Sequence, residues 1–137
     1  LLRGGYTGCQ NGLGIHADNS TTTPVSLAVD GNTISRYNKN GITINGAVKA
    51  TVTNNTVTGA GPLGSGYAAQ NGIQIGFGAG GLVSGNAVSG NSYTPKSDVA
   101  CGLLFYQAGG VKQHDNNLFD NEVNLCNAGR GGGHVSP

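Results

Sequence analysis

The chain has no methionine and no tryptophan, and only 9% of its 137 residues are charged. Its net charge of +1 leaves no basic stripe of the kind that nucleic-acid-binding proteins carry, so we expect no nucleic-acid partner. No segment approaches the run of about 20 apolar residues that crosses a bilayer, and we expect no membrane span. Disorder usually requires low hydrophobicity together with high net charge. The 36% apolar content and the near-neutral charge predict a folded domain instead.

The lack of methionine extends to the first position, which is Leu1. The segment Leu1-Leu2-Arg3-Gly4 is similar to the later part of a repeat whose earlier part is missing. We therefore expect a piece of a longer protein, which begins inside a repeat, and no signal peptide can be identified in it. A repeat domain is predicted for residues 1–128, followed by a flexible glycine-rich tail over 129–137.

Cysteine is also scarce, since only Cys9, Cys101 and Cys126 are present. An odd number cannot form a complete disulfide framework. The three residues are therefore expected to be small buried or half-buried thiols.

What the chain has in abundance is glycine, with 26 residues, and two short repeated phrases. In the first phrase an asparagine precedes an apolar residue by two positions, at intervals of 23, 31 and 30 residues; these asparagines are Asn32, Asn55, Asn86 and Asn116. In the second phrase a glycine precedes a pair of alternating apolar residues, and these glycines are Gly12, Gly41, Gly72 and Gly102. Two phrases that return with one period predict an array of stacked coils.

Each coil is expected to contain three short strands, because the apolar residues alternate with period two. The first strand should face inward through the pairs Leu13/Ile15, Ile42/Ile44, Ile73/Ile75 and Leu103/Phe105, and the third through Ile34, Val57, Val88 and Leu118. Stacking would align the four asparagines, whose amides can bond along the stack as in other ladders of identical polar residues. The fold class predicted is therefore all-β, a parallel solenoid of about four coils of 23–31 residues with a structural asparagine ladder.

The phrases Gln70-Asn71-Gly72-Ile73-Gln74-Ile75 and Val83-Ser84-Gly85-Asn86 resemble those of the right-handed parallel β-helix repeat family, especially its secreted bacterial members. The resemblance covers about residues 1–125. It implies a right-handed parallel β-helix and an extracellular or cell-surface location.

In β-helix enzymes that act on polysaccharides, the substrate lies along the outer face of the first-strand sheet, and the resemblance implies the same surface in this chain. Loops at 60–71 and 91–100 would form its walls. The outward columns are expected to be His16, Asn45, Gly76 and Tyr106, beside Gly14, Thr43, Gln74 and Leu104. The candidate ligand-binding residues, with a polysaccharide as the ligand, are His16, Thr43, Asn45, Gln74 and Tyr106.

Catalytic and metal-binding residues are not predicted. A glycosidase needs two acids within about 5 to 10 Å, and the acids of this chain are dispersed over different coils: Asp18, Asp30, Asp98, Asp115, Asp120 and Glu122. His16 and Tyr106 would lie three coils apart, at roughly 14 Å. Neither the calcium-binding Gly-Gly-x-Gly-x-Asp repeat nor the catalytic motifs of polygalacturonase-like and epimerase-like β-helices occur. No cofactor is expected.

Three functions stay open at this point. The chain is first interpreted as a non-catalytic extracellular module, either a scaffold or a glycan binder. Alternatively, it is the repeat region of a polysaccharide lyase, epimerase or hydrolase whose catalytic coils lie elsewhere. The third hypothesis is a self-assembling fibre unit, because an uncovered strand edge at each end of a solenoid favours end-to-end self-association.

Overall fold

The computed structural model describes residues 12–95 and 97–129. In these ranges the chain forms strands and no helix, so no described segment offers a helix able to cross a membrane. The half-coil predicted at 1–4, Cys9 and nearly all of the predicted tail lie outside the described residues. The strands are β1 (Ile15–Asn19), β2 (Val25–Asp30), β3 (Thr33–Ser35), β4 (Asn40–Gly46), β5 (Val48–Thr53), β6 (Thr56–Leu63), β7 (Asn71–Gly76), β8 (Gly80–Ser84), β9 (Ala87–Tyr93), β10 (Cys101–Tyr106), β11 (Val111–His114), β12 (Asn117–Phe119) and β13 (Val123–Ala128).

The strands form three parallel sheets, and consecutive strands always lie in different sheets. Sheet A has the order β1-β4-β7-β10-β13, sheet B the order β2-β5-β8-β11, and sheet C the order β3-β6-β9-β12. Each strand from β1 to β10 pairs with the strand three places further along the chain, so one coil is the connection between parallel neighbours. This is the predicted parallel solenoid. Between Asn32 and Asn116 the chain makes three turns, so the predicted number of about four coils is slightly too high.

The core is a set of apolar columns that run along the stack. Ile42, Ile73 and Leu103 are aligned in sheet A and fully buried. Val52 pairs with Val83 in sheet B, and the predicted column of Ile34, Val57, Val88 and Leu118 is aligned in sheet C. A single coil has too few apolar side chains to cover one another, so its inner faces are buried only by the coils above and below.

The first coil departs from the predicted alignment by two residues. Ile15 pairs with Ile42 and Ala17 with Ile44, so Gly14 rather than Gly12 is the counterpart of Gly41. Successive backbones approach closely at this position: a Cβ on Gly14 would lie 2.5 Å from the Gly41 carbonyl oxygen, and one on Gly41 would lie 2.7 Å from that of Gly72. Because the chain has glycine at both 12 and 14, spacing alone selected the wrong residue.

The asparagine ladder has the predicted members. Nδ2 of Asn32 donates to Oδ1 of Asn55 at 3.0 Å, Nδ2 of Asn55 to Oδ1 of Asn86 at 2.9 Å, and Nδ2 of Asn86 to Oδ1 of Asn116 at 2.9 Å. Each Oδ1 also accepts the backbone N–H of the preceding ladder residue. The ladder therefore satisfies polar backbone groups at a corner where its two inner members, Asn55 and Asn86, are buried.

A second amide ladder, which was not predicted, lies at the corner between sheet C and sheet A. The backbone N–H and Nδ2 of Asn91 both donate to Oδ1 of Asn121, at 3.2 and 2.9 Å. The hydroxyl of Tyr37 donates to Oδ1 of Asn91 at 2.6 Å, and burial raises the pKa of this phenol far above its usual value. Asn91 and Asn121 are 30 residues apart, the same as the repeat, and this interval could have revealed them.

The ladder predicts the effect of replacing Asn55. Asn55→Ala removes the acceptor of two Asn32 N–H groups and leaves the carbonyl of Val29 without its donor. Each buried polar group left unpaired costs about 1–3 kcal/mol. We expect the free energy of unfolding, measured by urea denaturation, to fall by about 3 kcal/mol or more.

The matched control for this measurement is Thr56→Ala, which alters the next residue in the chain, an exposed one. Its effect should remain within about 0.5 kcal/mol. Equal losses at positions 55 and 56 would contradict the structural role of the ladder.

Candidate functional site

The outer face of sheet A carries the five predicted ligand-binding residues in two columns. The first column contains His16, Thr43, Gln74, Leu104 and Cys126, and the second contains Asp18, Asn45, Gly76, Tyr106 and Ala128. His16 was expected to align with Asn45, and this was wrong. The two-residue shift of the first coil aligns it with Thr43 instead.

Thr43 and Gln74 are not part of an open surface, contrary to the prediction. They are only 3% and 9% exposed. Nδ2 of Asn40 donates to Oγ1 of Thr43 at 2.9 Å and to Oε1 of Gln74 at 3.0 Å, and Nδ2 of Asn71 donates to Oδ1 of Asn40 at 3.0 Å. The hydrogen-bonding groups of both side chains are therefore largely occupied within the protein.

A disulfide joins Cys101 to Cys126, so the expectation of free thiols was wrong for these two residues. Cys101 aligns with Asn40 through Asn71, and Cys126 aligns with Gln74 through Leu104. The disulfide therefore lies two coils further along the stack, at the position equivalent to that of the hydrogen bond between Asn40 and Gln74. An odd number of cysteines does not exclude one bond, and only the coil register reveals the partners.

Besides His16 on β1, which is exposed, the open part of this face lies where the strands of sheet A end. The rings of Phe77 and Tyr106 pack against each other with centroids 5.2 Å apart and planes at 59°. Phe77 is 54% exposed and Tyr106 is 38% exposed. Phe77 has a positive φ of 53°, a conformation that is uncommon for a large side chain and that starts the turn after β7.

Beside this aromatic pair lies an open depression of about 610 Å³, which we call the corner depression. It is lined by Asp18, Asn19, Ser20, Thr21, Asn45, Gly46, Ala47, Phe77 and Gly78. Nε2 of Gln74 donates to Oδ1 of Asn45 at 3.2 Å, which fixes the orientation of that amide. Of the predicted residues, Asn45 therefore lines the depression directly. Tyr106 lies beside it and packs against the lining residue Phe77, and Gln74 holds the amide of Asn45.

The rim of the depression is held by Asn19, the last residue of β1. Its Nδ2 donates to the carbonyls of Ala47 at 2.8 Å and Thr23 at 2.9 Å. Its Oδ1 accepts from the hydroxyl of Thr21 at 2.7 Å and from the backbone N–H of the same residue at 3.1 Å. One side chain thus anchors the loop between β1 and β2 to the next coil.

The segments predicted as walls are partly strand, because β6 extends to Leu63 and β9 to Tyr93. The remaining loops are fastened at their bases. Nζ of Lys39 donates to the Ala69 carbonyl at 2.8 Å, and burial lowers the pKa of this amine while Asp98 opposes the shift. The Glu122 carboxylate accepts the backbone N–H groups of Tyr93 and Ala100 at 3.2 and 3.1 Å.

Ionisable groups suited to catalysis do not converge in the described part of the chain. Nδ1 of His114 lies 2.8 Å from Oδ2 of Asp115, but both side chains are exposed on the surface of the protein. Among the described residues that line the corner depression, Asp18 is the only one with a carboxylate. No group of three His, Cys, Asp or Glu residues in the ranges 12–95 and 97–129 could hold a metal ion. The arrangement is suited to stacking and hydrogen bonding.

Comparison with known proteins agrees with the geometry of the coils. Residues 7–135 match a protein-family model described as "Right handed beta helix region". The chain belongs to this family of right-handed β-helices. No curated protein and no solved structure shows a significant match to it. The family determines the fold of this β-helix and its handedness, and it specifies no ligand.

The disulfide of this β-helix closes slightly more than one coil, because Cys126 follows Cys101 by 25 residues and lies three residues beyond Val123, the counterpart of Cys101 on β13. A loop of this length is expected to contribute about 3.5 kcal/mol through the entropy of the unfolded chain. Adding a reductant should therefore lower the free energy of unfolding by about that amount, as measured by urea denaturation monitored by circular dichroism.

The control is the double variant Cys101→Ala/Cys126→Ala, whose stability should not respond to the reductant. The single variant Cys9→Ala should keep the full response. A wild-type protein whose unfolding midpoint is unchanged by complete reduction would contradict the assigned bond.

Proposed function

We propose that this β-helix is a non-catalytic, carbohydrate-binding module of an extracellular protein, which binds a glycan at the corner depression. The observation that carries the proposal is the exposed pair of Phe77 and Tyr106 beside a polar, open depression. Ligand sites typically combine an apolar or aromatic surface with a few oriented polar groups. A sugar ring offers both an apolar C–H face and a rim of hydroxyls, which match these two parts.

Each residue has a distinct role in this proposal. Tyr106 and Phe77 provide the surface on which a sugar ring stacks, and the Tyr106 hydroxyl adds a hydrogen-bonding group. The Asp18 carboxylate accepts hydrogen bonds from sugar hydroxyls, which are strong because the acceptor is charged. Asn45 offers Nδ2 to a sugar oxygen, since its Oδ1 is directed at Gln74.

The disulfide between Cys101 and Cys126 supports an extracellular location. Disulfides form and persist in oxidising environments, and they are rare in the cytosol. The resemblance of the repeats to those of secreted bacterial proteins favours the same location.

Binding without turnover is favoured by the composition of the depression. Hydrolysis of a glycosidic bond normally uses two carboxyl groups, one on each side of the bond. In the part of the chain that the structure describes, the lining of the depression includes no second acid beside Asp18. A bound polysaccharide incubated with the protein should therefore show no new chain ends.

A glycan array, followed by calorimetry on the best ligand, tests the proposed site. Tyr106→Ala should weaken binding about tenfold, equivalent to about 1.4 kcal/mol, because aromatic anchors dominate such contacts. Phe119→Ala is the matched control, since Phe119 is another exposed aromatic residue, on β12 of sheet C. Absence of glycan binding, or equal effects of the two variants, would overturn the proposal.

A further inference from the structure

A second groove crosses the outer face of sheet B and adjoins the corner depression. It has a volume of about 690 Å³, and it shares Ala47 and Gly78 with the depression. Of the described residues that line it, Lys49 and Lys112 are basic and none is acidic. We call it the lysine groove. The corner depression therefore continues into a groove that carries two positive charges.

Most glycines of this groove are required by the backbone. A Cβ on Gly80 would lie 2.7 Å from the Gly110 carbonyl oxygen, one on Gly109 would lie 2.8 Å from that of Gly78, and one on Gly81 would clash with the carbonyl oxygen of Ala50. Real Cβ atoms essentially never approach so closely, so the stacking of coils accounts for these three residues.

Gly110 is different, because the fold does not require glycine there. A Cβ at this position would meet nothing within 4 Å, and the residue has no positive φ. It is exposed and lines the groove, next to Val111 at the start of β11. A side chain at position 110 would occupy open space at the groove. Because residue 110 is glycine, the lysine groove stays open there.

We propose that the lysine groove binds an acidic stretch of a glycan, one that carries carboxylate or sulfate groups. Lys49 on β5 aligns with Gly80 on β8, and Lys112 on β11 aligns with Leu82 on the same strand β8. The two lysines are therefore separated by two coils, roughly 10 Å along the stack. They are positioned to contact successive anionic groups of an extended chain.

The surrounding charges agree with an acidic ligand. Two acids lie at the far ends of the sheet B strands: Asp115 follows β11, where its carboxylate lies 2.8 Å from Nδ1 of His114, and Asp30 is the last residue of β2. Oδ1 of Asp30 accepts from the Thr53 hydroxyl at 2.6 Å and from Nδ2 of Asn54 at 2.9 Å, and neither acid is among the described residues that line the groove. Asp18 lies in the corner depression and would repel an anion there, so the acidic groups of the ligand belong at the lysine end.

This inference rests on the proposed function, because it assigns the class of glycan that the module binds. The test therefore uses pairs of probes with the same backbone and different charge: oligouronates against their neutral methyl esters, and sulfated dextran against dextran. Affinities are measured by calorimetry at low and at high salt. Acidic probes should bind more tightly than their neutral counterparts at low salt, and the difference should shrink at high salt because exposed charges are screened.

Two sets of variants test the residues. The double variant Lys49→Gln/Lys112→Gln should weaken binding of the acidic probe by roughly 2- to 30-fold, with little change for the neutral probe. Arg36→Gln, which removes one positive charge from an exposed residue outside the groove, is the control. Gly110→Val should fill the groove and weaken binding of the acidic probe, Gly110→Ala should do so less, and both should retain the wild-type melting temperature.

The outcomes separate the two proposals. If Tyr106→Ala weakens binding while acidic and neutral probes bind equally and the lysine and Gly110 variants have no effect, the lysine groove is not a binding site and the proposed function stands. If only the carboxylated probe, or only the sulfated probe, binds more tightly than its neutral counterpart, that result identifies the anionic group that the groove binds. Absence of binding to every probe would overturn both proposals.

Discussion

Everything in this β-helix depends on the stacking of each coil on the next at the spacing of parallel strands, about 4.8 Å. At that distance a residue has its main contacts with the residues at the same position of the neighbouring coils. Inward columns therefore become a core of aligned Ile, Val and Leu. Polar columns become amide ladders, because an amide has both a donor and an acceptor and can bond in both directions along the stack. Glycine is required where the backbones approach most closely.

The same constraint relates features that differ in chemistry. At equivalent positions of the outer face of sheet A, one pair of coils is joined by the hydrogen bond from Asn40 to Gln74 and another by the disulfide from Cys101 to Cys126. A polar contact in the middle of the stack is thus replaced by a covalent bond near the last strand described.

Stacking also determines which surface remains for a ligand. On sheet A, the hydrogen bonds among Asn40, Asn71, Thr43 and Gln74 occupy the centre of the outer face, and the open depression lies near the strand ends. The corner depression and the lysine groove therefore lie along the turn from sheet A to sheet B. Two surfaces of contrasting character, one aromatic and bordered by the carboxylate of Asp18, the other basic, meet at Ala47 and Gly78.

The sequence by itself determined the solenoid, the members of the asparagine ladder and the facing of most apolar residues, because a repeated chain expresses its fold as periodicity. It could not determine the register of the first coil, since Gly12 and Gly14 both fit the phrase and only the close approach to Gly41 selects one. The tertiary structure alone decided that Thr43 and Gln74 are buried, that Cys101 meets Cys126, and that Phe77 joins Tyr106. Alternation along a strand shows which side chains point outward, whereas exposure, pairing and shape depend on neighbours from other coils, whose positions are set by turns of unequal length.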